Sequence, residues 1–179
     1  APPEATESRL LGQDFSSSDI SRAIGRANLS KTKPRDIAKS IAKHLANGKV
    51  VAHFDGKMEW GPRALGARSV LFRPDDPSVN DWLNKRLGRT EFMPFAPMVL
   101  AEDAPSLFVG LEKATESAKF MTVCFDCTDK MKELCPGVVH TDGTARPQVI
   151  HKSENPRIHN IISEFKALTG LPAIVNTSF

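Results

Sequence analysis

Two hydrophobic periods alternate along this chain. Ile37, Ile41 and Leu45 recur every four residues and line one face of a helix; Pro34 lies near its start, and Asn47-Gly48 stops it. A weaker helix precedes it, capped by Ser17 or Ser18, with Ile20 and Ile24 on one face and Gly25 at its end. Asp76-Pro77 joins an N-cap to a proline at the first helical position. It predicts a helix with Val79, Trp82, Leu83 and Leu87 inward and Asn80, Asn84 and Lys85 on other faces. The clearest helix opens at Asn155-Pro156, carries Ile158, Ile161, Ile162, Phe165 and Leu168 as its stripe, and closes at Gly170.

Between these helices lie short runs rich in β-branched residues. They predict strands over 49–54, 98–100, 121–125, 145–150 and 173–176. A short helix is expected over 104–108 and a charged, mobile stretch over 110–118. Residues 1–15 show little periodicity and read as a connector or edge segment. No internal repeat is visible. Interleaved helices and strands make the class α/β or α+β with a mixed sheet.

Composition changes this picture little. The 179 residues, 40% hydrophobic and 25% charged, suit one globular domain. A net charge of +3 is mildly basic and fits a small anionic ligand as well as it fits nucleic acid. No apolar run approaches the roughly 20 residues of a membrane span, no leader pattern is read, and three cysteines argue against a disulfide framework. The expectation is a cytoplasmic protein, and the start at Ala1 and the stop at Phe179 read as a piece of something longer.

Candidate chemistry concentrates in three places. In "EWGPRALGARSVLFRP", Arg63, Arg68 and Arg73 stand among glycines and prolines directly after a predicted strand. A guanidinium fork matches two oxygens of a phosphate or carboxylate, so the loop is a candidate anion site. The plainer alternative is a solvated loop whose arginines pair with Glu59 or Asp55. In "HTDGTARPQ", His140, Thr141, Asp142, Thr144, Arg146 and Gln148 crowd around an Asp-Gly turn, either as a site or as a hairpin tip bonded to itself. The terminal "NTSF" puts Asn176, Thr177 and Ser178 at the carboxyl end of a strand, a usual ligand position in α/β folds; capping a following helix is the ordinary alternative. Cys124, Cys127, Cys135 and His140 have the ligand types for zinc, but a spacing of three on a strand puts the first two cysteines on opposite faces. The expectation is therefore no metal, with buried reduced thiols. Phosphate-loop, dinucleotide, zinc-protease and nucleophile-elbow motifs are all missing.

"GKMEWGPRALGARSVL", "VNDWLNKRLGRTEFMPFAPMVL", "HTDGTARPQ" and "GLPAIVNTSF" resemble, in that order, the carboxy-terminal domain of the O-carbamoyltransferases. That family includes the nodulation-factor, cephamycin and tobramycin carbamoyltransferases. The resemblance covers about 37–179 and implies a YrdC-like twisted α/β domain over 31–179, with 1–30 as connector and short helix. It implies that this domain receives carbamoyl phosphate and forms carbamoyl-adenylate with ATP. Transfer to a hydroxyl acceptor would belong to an amino-terminal ATPase-type domain that also holds a divalent metal, and which this chain does not carry. By motif, Arg63, Arg146 and Asn176 match ligand-binding positions, with Arg68, Lys85, Arg86 and Ser178 as neighbours. His140 is a candidate to move a proton or to orient a ligand.

One departure stands out. Many members read F-R-P-F-A-P where this chain has Met93, and a common lysine six positions earlier is Leu87. Lys85, Arg86 or Arg89 could substitute, or the site could be weaker. The rival class is a YrdC-like nucleic-acid-binding module. It is disfavoured because the basic residues crowd into three motifs and aromatics are sparse, with no Tyr and two Trp.

Overall fold

A computed structural model of the chain describes residues 10–178 except 79, 80, 83, 86, 87 and 89–94. The periodic segments form as the pattern predicts. Helix α1 (Ser17–Arg26) is capped by Ser16 in a reciprocal box with Asp19, and α2 (Ile37–Ala46) by Asp36. The α1 cap lies just upstream of the expected Ser17 or Ser18, and the α2 cap lies two residues after Pro34. The last helix, α4 (Pro156–Thr169), starts on the Asn155 side chain and ends at Gly170, whose φ of 76° only glycine adopts readily. A short helix that the pattern does not announce, α3 (Asp129–Leu134), is capped by Thr128.

Eight strands are described: β1 (Val51–Phe54), β2 (Arg68–Phe72), β3 (Ala96–Leu100), β4 (Phe108–Val109), β5 (Phe125–Cys127), β6 (Thr144–Ala145), β7 (Gln148–Ile150) and β8 (Ala173–Ser178). The main sheet has the order β1-β2-β8-β3-β7, and only β3 and β7 run parallel. A second sheet, β4-β5-β6, is antiparallel. The fold is thus mixed α/β, with one mixed five-stranded sheet, a smaller sheet and flanking helices.

Alternation along the strands divides the interior in two. Leu71, Met98, Ile150 and Ile174 face α2 and α4, where they meet Ile41, Leu45, Ile158, Ile161, Ile162 and Phe165. Val70, Phe72, Val99, Val149, Ala173 and Val175 face the small sheet and meet Leu107, Phe125, Met131 and Val138. Phe165 is fully buried, so truncation to alanine there should cost about 3–5 kcal/mol.

Several expectations are corrected. The strand expected over 121–125 lies at Phe125–Cys127, because Met121 turns left-handed at φ 54° and Thr122 bonds back to the Ser117 carbonyl. The strand expected over 145–150 is two strands in different sheets, interrupted at Pro147, which has no amide hydrogen for a ladder. The helix expected over 104–108 is one 3-10 turn, Ala104–Ser106. The stretch over 110–118 is not loose, since Leu111 and Ala118 are buried in two further 3-10 turns. Ile37 and Leu168 leave their stripes and are exposed. The helix expected after Asp76-Pro77 is described in part: Asp81, Trp82, Asn84 and Lys85 are helical, whereas Val79, Asn80, Leu83 and Leu87 lie outside the described residues. Asp76 does accept the Ser78 amide, and Trp82 packs edge-on against Phe72 at 5.0 Å.

Candidate functional site

The arginine loop crosses the helix-facing side of the main sheet, at the end where α4 begins. Four strands each send up one polar side chain to meet its backbone. His53 of β1 bonds the Gly66 carbonyl through Nδ1 at 2.6 Å, and Ser69 of β2 accepts the Gly66 amide at 3.1 Å. Asn176 of β8 donates to the Ala64 carbonyl at 2.7 Å, and Gln148 of β7 donates to the Leu65 carbonyl at 2.7 Å. From within the loop, Glu59 Oε1 accepts the amides of Leu65, Ala67 and Arg68 at 2.6, 2.5 and 3.3 Å. The buried backbone of this turn is therefore satisfied by side chains. The three sequence motifs meet here, through Ala64 and Leu65, Gln148, and Asn176.

Glycine is required at position 66. Its φ is 117°, and an added Cβ would stand 2.9 Å from Ile158 Cγ1 and 3.2 Å from Asn155 Nδ2. The loop is consequently pressed against the first turn of α4.

The three arginines have different tasks. Arg68 Nε lies 3.4 Å from Glu59 Oε2, and its NH2 group donates to the Gly61 carbonyl at 2.7 Å, so it fastens the loop to itself. Arg73 is held by Asp75 and by the Ala46 carbonyl; the Asp75 hydrogen bond keeps its pKa above the ordinary arginine value. Arg63 is exposed and makes no hydrogen bond or ion pair among the described residues. The plainer reading thus holds for Arg68 with Glu59, whereas Asp55 pairs instead with Arg157 of α4.

The Asp-Gly turn is bonded to itself. His140 donates its amide to the Thr144 carbonyl at 2.7 Å, its Nδ1 stands 3.1 Å from Thr144 Oγ1, and Asp142 takes both the amide and hydroxyl of Thr144. Those bonds from Thr144 hold the Asp142 carboxyl below its usual range. Burial pushes the His140 imidazole below its usual value; Asp142 opposes this and Arg146 adds to it. At neutral pH His140 is therefore an uncharged imidazole. Arg146 is half-buried and close enough for its charge to act on His140.

Asn176 is only 1% exposed. Besides Ala64, its Nδ2 donates to Gln148 Oε1 at 2.8 Å and touches Met121 Sδ at 3.9 Å. Its Oδ1 is buried and has no hydrogen-bond partner among the described residues. Ser178 is partly buried at the end of β8, opposite Ser69 of β2, and Lys85 is exposed. Arg86, Leu87, Arg89 and Met93 lie outside the described residues. Signals for His53 and Ser69 were absent from the sequence, because a single polar residue on a short strand resembles any other.

Cys124 is exposed rather than buried, while Cys127 and Cys135 are buried thiols whose pKa values burial pushes up to about 11 and about 12. Both stay protonated and unreactive at neutral pH. Among the described residues, no three His, Cys, Asp or Glu side chains gather as metal ligands. None of these helices is long and apolar enough to cross a membrane. A cleft of about 770 Å³ between α2, β1 and α4 is lined by Arg35, Ile37, Phe54, Arg157 and their neighbours; its lining includes His53 but none of the residues that the sequence motifs offered as ligand-binding.

Fold and site together define a small α/β domain in which a fastened arginine loop covers a buried amide cluster. Comparison with known proteins makes this particular: the model of the family "Carbamoyltransferase C-terminus" matches residues 42–179. The chain belongs to that family. It is 40% identical over 139 residues to an uncharacterized protein of Methanocaldococcus jannaschii, covering 77% of this chain and 22% of that protein. It is 39% identical over 145 residues to nodulation protein NolO of Bradyrhizobium diazoefficiens, covering 80% and 26%. To nodulation protein U of Sinorhizobium fredii it is 36% identical over 140 residues, covering 77% and 24%. The chain thus spans about a quarter of the length of these relatives.

Proposed function

We propose that this chain is the acyl-phosphate-handling part of an O-carbamoyltransferase, binding carbamoyl phosphate and forming carbamoyl-adenylate with ATP. Residues 31–179 form the working domain, and an amino-terminal partner domain, with its divalent metal, passes the carbamoyl group to a hydroxyl. The observation that carries this reading is the convergence of the family's three motifs on one place, where Arg63 is uncommitted and Asn176 Oδ1 is a buried acceptor. Carbamoyl phosphate has complementary ends, a dianion for guanidinium groups and an amide for the acceptor.

In this reading Arg63 and Arg146 hold the phosphate, with Arg68, Lys85, Arg86 and Ser178 near it. Water releases phosphate to leave carbamate, whose oxygen attacks the α-phosphorus of ATP, and pyrophosphate departs. The fixed cations stabilise charge that builds on phosphoryl oxygens. His140, uncharged at neutral pH, orients the ligand or accepts a proton. Both co-substrates belong to the cytoplasm.

The test is pyrophosphate release by the full-length protein. It is expected only when carbamoyl phosphate and ATP are both present. Release that ignores carbamoyl phosphate would overturn the reading. RNA binding with a steep salt slope would replace it with the nucleic-acid module.

A further inference from the structure

Gln148 and Asn176 are wired in one direction. Gln148 Nε2 donates to the Leu65 carbonyl at 2.7 Å, which obliges its Oε1 to face Asn176. Asn176 Nδ2 meets that oxygen at 2.8 Å and the Ala64 carbonyl at 2.7 Å, so both amide hydrogens are used. Turning Asn176 over would set its oxygen against two acceptors. What remains for a ligand is Oδ1 alone, shut from solvent and without a partner among the described residues. An acceptor screened from water discriminates strongly, because a ligand lacking the matching donor leaves it unsatisfied.

We propose that Gln148 determines which acyl phosphate this site accepts, by locking the Asn176 amide with its oxygen forward so that it selects acyl groups bearing –NH2. The inference rests on the acyl-phosphate reading above and adds the residue that sets its choice. Gln148 is a positioning residue, since it acts through Asn176. The ligands to compare are carbamoyl phosphate and acetyl phosphate, which share the phosphate end and differ by an amino group against a methyl group.

Calorimetry on the full-length protein separates the outcomes. The native protein should bind carbamoyl phosphate at least about tenfold more tightly than acetyl phosphate, the worth of one net hydrogen bond. Gln148→Met keeps the volume but removes the strong acceptor and the tie to Leu65. It should shrink that ratio towards one, with carbamoyl phosphate losing more affinity than acetyl phosphate, and a cooperative thermal transition shows that the variant is folded. Gln148→Glu still accepts from Asn176 Nδ2; it should weaken both ligands together through its charge and keep the ratio. A native ratio in Gln148→Met would overturn the proposal, as would equal loss of both ligands in that variant. Equal native affinities would overturn it while leaving the acyl-phosphate reading standing. Failure of the native protein to bind either ligand would overturn both.

Discussion

Arg63, Arg68 and Arg73 lie on the loop before β2, at its first residue and just beyond its end, and among the described residues only Arg63 of the three is left uncommitted. Arg68 neutralises a carboxylate whose side chain is fully buried, and Arg73 ties the end of α2 to Asp75. Their losses should therefore differ in kind. Arg63→Ala should leave the urea midpoint within about 0.5 kcal/mol of native, as for most exposed substitutions. It should weaken carbamoyl phosphate binding about 30-fold or more, the loss of a charge-assisted contact. Arg68→Ala should cost about 1–3 kcal/mol of stability, because it leaves Glu59 charged and buried without its cation. Paired denaturation and calorimetry check both, and native affinity in Arg63→Ala would remove that residue from the site. At this scale the sequence showed which residue types could bind an anion. It could not say which arginine was free, since that depends on where Glu59 and Asp75 come to rest.

Among the elements, the junction of the loop with α4 has little slack. Gly66 needs a positive φ, its amide and carbonyl are both held by strand side chains, and Ile158 stands where a methyl group would go. Gly66→Ala should cost about 1–3 kcal/mol from strain and overpacking. It should also weaken ligand binding, because the turn that presents Arg63 must shift. A variant with the native melting temperature would show that the loop is more compliant than its contacts imply. Helices were legible where a cap, a four-residue period and a terminating glycine agreed, as in α4. Strands were less so. The expected strand over 145–150 contains Pro147, and its two halves pair with different sheets. Pro147 marks the break locally, but period-two alternation is satisfied by either sheet, so only the pairing partners reveal that the halves belong to different ones.

Across the whole molecule, two apolar layers sandwich the main sheet while the amino-terminal segment stays outside them. No residue of α1 is buried. The contacts of the segment before it include the Gly12 amide on the Met58 carbonyl at 2.9 Å and Phe15 near Phe54 at 5.9 Å. Removing residues 1–30 should therefore lower the melting temperature by no more than about 4 °C, the equivalent of about 1 kcal/mol at this size. Calorimetric melting of the shortened chain checks this, and loss of a cooperative transition would make that segment part of the core. By itself the sequence determined the mixed class, the long helices, the family and the three motifs. Local caps, periodicities and side-chain types are carried by neighbouring residues and need no fold to be read. Tertiary structure alone decided that His53, Ser69, Gln148 and Asn176, on four strands spread over 124 positions of chain, hold one turn of backbone. It also decided that both hydrogens of the Asn176 amide are spent, leaving its buried oxygen without a partner among the described residues. Sheet order and register bring those groups together, and both arise from long-range pairing that no short window of sequence contains.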